Sequence, residues 1–177
     1  MENYTIGNII KATGGHLKKG SSDTKVTDIS TDTRTIKEGD IFVALIGDQF
    51  DGHDFIAQAI EKNIMGVVVS HEFGGMDESN NLNIIMVKDT TQALGDIAKD
   101  YGNRFSIPII GVTGSNGKTT TKDMASAVLS AKFSVLKNEG NLNNTIGLPL
   151  TIFRLSRAHE LAILEMGINL PGEMARL

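Results

Sequence analysis

The chain has 177 residues, 40% of them hydrophobic, and a formal net charge of -4. That is enough to bury a core in one large or two small domains, and the acidic balance speaks against a general nucleic-acid binder, which shows a basic excess or a clustered basic face. Cysteine is absent, which removes disulfides, thiolate metal sites and cysteine nucleophiles, and the first residues show no basic segment followed by an apolar run. No stretch approaches the roughly 20 apolar residues of a membrane helix, so a cytoplasmic protein without membrane insertion is expected.

In chain order, Ile6, Ile9 and Ile10 recur at helical spacing after Thr5, a capping residue, and Gly14 and Gly15 end the pattern, which predicts a short first helix. Residues 26–30 and the apolar run within 40–46 read as strands, separated by a polar loop at 31–35. Phe55, Ile56, Ala59 and Ile60 make one face of a helix, and 65–70 reads as the next strand. Residues 74–81 have the composition of an exposed loop, and 83–87 is strand-like. A domain boundary is expected here, giving domains 1–82 and 83–177. Ala93, Leu94, Ile97, Ala98 and Tyr101 form a helical stripe leading into a strand at 108–113. A helix with Met124, Ala125, Val128 and Leu129 on one side follows, then strands at 134–136 and 161–164. This alternation predicts an α/β protein with a mainly parallel, helix-covered sheet. Residues 171–177 read as a helix just beginning, which suggests a fragment, a short frayed terminal helix being the alternative.

The strand at 108–113 runs into Gly114, Ser115, Asn116, Gly117, Lys118, Thr119 and Thr120. A bound triphosphate needs close backbone approach, several N–H donors and a cation. Gly114 and Gly117 allow the approach, the following helix turns its positive end to the anion, and Lys118 supplies the charge. Thr119 is placed to give a hydroxyl to Mg²⁺. The usual spacing asks for glycine at 112, where this chain has Val112, with Gly111 one residue early. Glu165 stands directly after the strand at 161–164, at the carboxyl edge of a parallel sheet, and is the candidate carboxylate ligand of Mg²⁺. A buried, ion-paired glutamate is the bland alternative. No histidine pair has metal-ligand spacing and no serine-nucleophile elbow appears, which suits phosphoryl transfer from ATP or GTP to an oxygen of the substrate.

The segment 111–120, with its altered glycine spacing, resembles the loop of the Mur ligases, which build the peptide of bacterial cell-wall precursors. Residues 140–150 and 164–169 are similar to the branch that adds D-alanyl-D-alanine, and 30–34, 39–45 and 49–55 look like that family's UDP-sugar-binding module. The resemblance implies a small N-terminal UDP-substrate-binding α/β domain followed by the first part of a P-loop ATPase domain. It also implies an ATP- and Mg²⁺-dependent ligase in peptidoglycan synthesis, which phosphorylates the terminal carboxylate of a UDP-MurNAc-tripeptide before the D-alanyl-D-alanine amine attacks. Lys118 would then act on the transferring phosphoryl group. Asn141, Asn143 and Asn144 are candidates either for contacting phosphate or substrate oxygens or for stabilising a turn and a helix start. Ser30, Thr31 and Arg34 are candidates for the uridine nucleotide and its diphosphate, a solvated loop charge being the alternative for Arg34. Asp51, Gly52 and His53 either shape the same cleft or cap the helix that follows. Family members continue beyond this length, so the 177 residues alone are expected to be inactive. Another amide ligase of the superfamily and a nucleotide-binding regulatory module are the competing functions; residues 140–150 and 164–169 disfavour the first, and Glu165 with the asparagine-rich segment disfavours the second.

Overall fold

The computed structural model describes residues 1–76, 82–168 and 172–177. Residues 77–81 of the expected loop, Asn169 of the 164–169 segment and Pro171 of the expected terminal helix lie outside the described residues. Two compact units are present, Met1–Asp100 and Tyr101–Leu177.

The first unit opens with α1 (Ile6–Thr13). The Thr5 side chain accepts from the Asn8 N–H, Asn8 reaches back to the Thr5 backbone, and Gly14 closes the helix in the left-handed conformation at φ 63°. Five strands follow: β1 (His16–Lys19), β2 (Ile29–Ser30), β3 (Ile41–Val43), β4 (Gly66–Val69) and β5 (Asn83–Met86). They lie in the order β1-β5-β4-β3-β2, parallel from β2 to β5, with β1 antiparallel on the edge. Every residue of β3 and β4 is buried, as expected of parallel strands covered on both faces. A 3₁₀ turn (Gly52–Phe55) leads into α2 (Ile56–Ile60), whose Ile56 and Ala59 pack with Phe42, Val67 and Ile84. Helix α3 (Thr90–Gly102) begins where the Asp89 carboxylate accepts the Thr91 and Gln92 N–H groups at 2.8 and 2.9 Å. Its Ala93, Leu94, Ile97 and Ala98 are all buried, as the stripe predicts.

The expected boundary at 82/83 falls inside the first compact unit, which runs from Met1 to Asp100. Strand β5 pairs with β4 on one side and β1 on the other, and the Asn83 side chain accepts from the Ser21 N–H and donates to the Met65 carbonyl. These bonds hold residue 83 inside the first sheet, and the division falls after Asp100. Residues 74–76 form a turn within the unit.

In the second unit, β6 (Ile109–Val112), β7 (Val135–Lys137) and β8 (Leu161–Glu165) form a parallel sheet in the order β6-β8-β7. The connections carry α4 (Lys118–Leu129) and α5 (Gly147–Ile152), and α6 (Glu173–Arg176) follows β8. Tyr101, the last residue of the predicted α3 stripe, is buried and donates its hydroxyl to the Leu155 carbonyl at 2.8 Å.

Two further expectations change, and two elements appear that were not expected. The strand expected over 26–30 is reduced to Ile29–Ser30. Strand β1 was not legible because His-Leu-Lys-Lys sits half-exposed on an edge, and α5 because six residues containing a proline are too short to show a period. Helix α4 turns a different face inward: Met124 and Val128 are 67% and 74% exposed, while Lys122 and Ser126 are buried. The inward position tolerates lysine because its ammonium donates to the Asn138 carbonyl at 2.8 Å. Among the described residues no helix is long and apolar enough to cross a membrane.

Candidate functional site

Strand β6 lies beside β8 with Val112 opposite Glu165, so the loop leaving β6 and the residue ending β8 meet at the carboxyl edge of the sheet. In that loop Gly114 has φ 143° and Gly117 φ 76°, and the space around a Cβ at Gly117 is open. Backbone conformation, rather than crowding, therefore demands glycine at 117. Gly117 caps α4, so Lys118, Thr119 and Thr120 form a first turn whose N–H groups lack partners four residues back and whose dipole favours an anion. The Lys118 ammonium donates to the Gly114 carbonyl at 2.7 Å, which keeps the cation against the loop. Ser115 and Asn116 are exposed at its tip.

Glu165 is 3% exposed. Its Oε2 accepts from the Thr119 hydroxyl at 2.8 Å and its Oε1 from the Asn143 amide at 2.8 Å. Both partners are neutral, and among the described residues no salt bridge to Glu165 is present. A buried carboxylate balanced by neutral donors alone is costly, so the arrangement favours a cation. The oxygens also fit one. Neighbouring ligands of an octahedral Mg²⁺ site lie about 2.9 Å apart when each is about 2.0–2.1 Å from the ion, close to the Thr119–Glu165 separation.

The three candidate asparagines have separate places. Asn143 belongs to the site through Glu165. Asn144 accepts from the Ile146 and Gly147 N–H groups at 3.1 and 2.8 Å and so serves the start of α5, while Asn141 is exposed and gives its backbone carbonyl to the Asn143 N–H. Two residues that sequence reasoning passed over also surround Glu165. Asn138 is fully buried and bonds to the Glu165 backbone, and Lys122 bonds to Asn138. Hydropathy patterns offer no signal for either, because they assign such residues to solvent.

In the first unit a cavity of about 600 Å³ is lined by Thr31, Asp32, Thr33, Arg34, Phe42, Leu45, Phe50, Gly52, Phe55 and Gln58. Of the sequence candidates, Thr31, Arg34 and Gly52 reach it. Ser30 lies behind, its hydroxyl accepting from the Asp32 N–H and donating to the Asp32 carbonyl at 3.2 Å. The Arg34 guanidinium donates to both Asp32 oxygens, at 2.6 to 3.2 Å, and holds that carboxyl below its ordinary range. Phe50, 69% exposed at the cavity, was not singled out from sequence; a large exposed aromatic in the 49–55 segment was the available signal.

Asp51 and His53 do not line this cavity. Asp51 caps the 3₁₀ turn by accepting the His53 N–H at 2.9 Å, and the His53 ring is buried, accepting the Ser70 N–H on Nε2 at 3.0 Å. The acceptor at Nε2 leaves the proton on Nδ1, which donates to Asp51. His71 stacks on His53 with centroids 3.7 Å apart, bonding the Glu72 carbonyl through Nδ1 and Asp51 through Nε2, each at 2.9 Å. Both ring nitrogens of His71 face acceptors, which favours the imidazolium. The Glu72 carbonyl first, and then Asp51, raise its pKa. Burial pushes the Asp51 carboxyl up, but the bonds from the His53 backbone and from both rings outweigh it and hold it at about 2. Asp51, His53 and His71 gather their ligand atoms within 4.8 Å, yet a metal on His53 Nδ1 would have to displace the proton that the Ser70 contact keeps there.

Comparison with known proteins agrees with both units. The family description "Mur ligase family, catalytic domain" matches residues 25–102, and "Mur ligase middle domain" matches residues 112–177. The UDP-N-acetylmuramoyl-tripeptide–D-alanyl-D-alanine ligase of Bacillus subtilis is 42% identical over 175 residues, 98% of this chain and 38% of that protein. A crystal structure of MurF from Acinetobacter baumannii superposes with a TM-score of 0.89 at 32% identity, over 98% of this chain and 38% of that one. The MurF ligase of Thermotoga maritima, solved in complex with ADP, gives a TM-score of 0.75 at 35% identity, over 86% and 34% of the two chains. The chain spans a little over a third of the length of the curated relatives it matches. With both units matched in order and relatives and solved structures matching almost the whole chain, the chain belongs to the Mur ligase family.

Proposed function

We propose that the polypeptide is an ATP-dependent ligase that joins D-alanyl-D-alanine to a UDP-MurNAc-tripeptide, the activity named for its curated relatives. The observation that carries the reading is Glu165, a buried carboxylate 2.8 Å from the Thr119 hydroxyl at the foot of a glycine-bounded anion loop.

ATP is assigned to residues 114–120. The backbone N–H groups and the α4 N-terminus bind its phosphates, and Lys118 draws charge from the phosphoryl group in transfer. Thr119 and Glu165 would hold Mg²⁺, which supplies a Lewis acid for the outer phosphates. Asn143 keeps the Glu165 carboxylate oriented. The terminal carboxylate oxygen of the tripeptide attacks the γ-phosphorus, and the bond to the ADP oxygen breaks, leaving an acyl phosphate. The amine of D-alanyl-D-alanine then attacks the acyl carbon, phosphate leaves with the former carboxylate oxygen, and the amine loses a proton as the amide forms. No side-chain nucleophile is required. Thr31, Arg34 and Gly52 are assigned to the UDP portion of the substrate, with Ser30, Asp51 and His53 supporting the walls from behind. Asn141 and Asn144 flank the nucleotide site, Asn144 as a helix cap.

The test is phosphate release by the complete polypeptide that carries this chain. Release should require ATP, the UDP-MurNAc-tripeptide and D-alanyl-D-alanine together, and Lys118→Ala should slow it by on the order of 10²-fold or more with the fold retained. Release that continues without either co-substrate would overturn the assignment.

A further inference from the structure

We infer that Lys122 and Asn138 are positioning residues, a buried clasp that fixes the Glu165 carboxylate beside Thr119 and so sets the divalent-cation affinity of the nucleotide site. The inference rests on the assignment of residues 114–120 and Glu165 given above.

Lys122 is 2% exposed, one helical turn beyond Lys118, on the face of α4 where an amphipathic helix ordinarily carries apolar side chains. Its ammonium donates to the Asn138 carbonyl at 2.8 Å and lies 3.5 Å from Asp123, a half-exposed carboxylate that is shared with Lys137 at 2.8 Å. Burying an ammonium costs several kcal/mol and an apolar side chain of similar volume avoids that cost. The cation is therefore retained for what it holds, which is the residue directly after β7.

That residue, Asn138, is fully buried. Its Oδ1 accepts the Glu165 N–H at 2.9 Å and its Nδ2 donates to the Glu165 carbonyl at 3.0 Å. Main-chain pairing of β7 with β8 ends at Lys137 opposite Ile163, and the Asn138 amide continues the pairing by side chain to the end of β8. The same Nδ2 donates to the Leu142 carbonyl at 2.9 Å, anchoring the segment that delivers Asn143 to Glu165 Oε1. One side-chain amide thus fixes both the backbone of the carboxylate and one of its two donors, and Lys122, bonded to the Asn138 main-chain carbonyl, ties that residue to the helix that carries the other donor, Thr119. Outer partners of this kind commonly change metal affinity by about 10–100-fold when removed.

The experiment titrates Mn²⁺ by EPR into the complete polypeptide in the presence of ADP, with metal-free ADP affinity measured in parallel. Lys122→Met and Asn138→Ala should each weaken Mn²⁺ binding by about 10-fold while leaving metal-free ADP affinity unchanged, and Lys122→Arg, which keeps a cationic donor, should stay within about 3-fold of wild type. A purely structural role would lower thermal stability and weaken ADP with and without metal alike, and that result overturns the inference, as does unchanged Mn²⁺ affinity in folded variants. If Asn138→Ala does not fold, Asn138→Thr, which keeps an acceptor and loses the amide donor, takes its place with the same expected weakening. Glu165→Gln separates the two levels. If it leaves Mn²⁺ affinity unchanged, the cation-site assignment itself fails; if it weakens binding and the clasp variants do not, the clasp alone is wrong.

Discussion

At the scale of single residues, Asp51, His53 and His71 show how a segment read as substrate-binding does structural work. Sequence left open whether Asp51 caps a helix or shapes a cleft, and its carboxylate accepts the His53 N–H as a cap does. His71, twenty residues away, completes the cluster, and nothing local in the sequence announces it. The pH dependence follows from the two shifts. His71 has a raised folded pKa, so its contribution is complete below its unfolded value of about 6.5 and is lost as pH rises through the folded value. Asp51 is held at about 2 in the fold, so its contribution is present above the unfolded carboxyl value and fades as pH falls toward that figure. The Asp51–His71 pair should therefore contribute most between about pH 4 and 6.5. Thermal melts of wild type and His71→Gln should differ most in that window, by about 1 kcal/mol or less for so exposed a pair, and converge in alkali. A difference that grows with rising pH would show that His71 is neutral in the folded protein.

At the scale of elements, local signals that agree with their neighbours were legible. Helix α1 has its cap, its period and its left-handed glycine in the expected places, and α3 buries the stripe its spacing announces. Helix α4 defeats the same reasoning, because hydropathy assumes that lysine seeks water and Lys122 finds a carbonyl instead. Gly52 was singled out for a ligand, yet a Cβ there would lie 2.7 Å from both the Leu45 nitrogen and the Leu45 oxygen. Close packing of the 3₁₀ turn against the end of β3 therefore demands glycine whatever the cavity binds. Gly52→Ala should destabilise the fold by about 1–3 kcal/mol in urea melts, since backbone atoms cannot yield as a side chain can. Unchanged stability with weakened UDP binding would instead give the glycine a purely ligand-facing role.

At the scale of the whole molecule, Arg34 and Lys118 belong to different compact units and share no partner among the described residues. Substitutions that share no partner act independently. Arg34→Ala should weaken binding of UDP without altering that of ADP, Lys118→Ala should do the reverse, and the double variant should show the sum; calorimetric titrations with each nucleotide would expose any departure. The sequence by itself determined the α/β class, the glycine-bounded loop between strand and helix and the carboxylate at the strand end, because glycine placement, strand-to-helix succession and a Gly-Lys-Thr step are local properties of the chain. Only the tertiary structure decided that β8 lies between β6 and β7, that β5 lies inside the first sheet between β1 and β4, and that Asn138 and Lys122 stand behind Glu165. Those are contacts across 16 to 27 residues of chain for the clasp and up to 62 for Asn83. Such pairings arise where hydrogen-bonding groups must be satisfied once strands and helices pack, and residue spacing carries no record of which partner will be found.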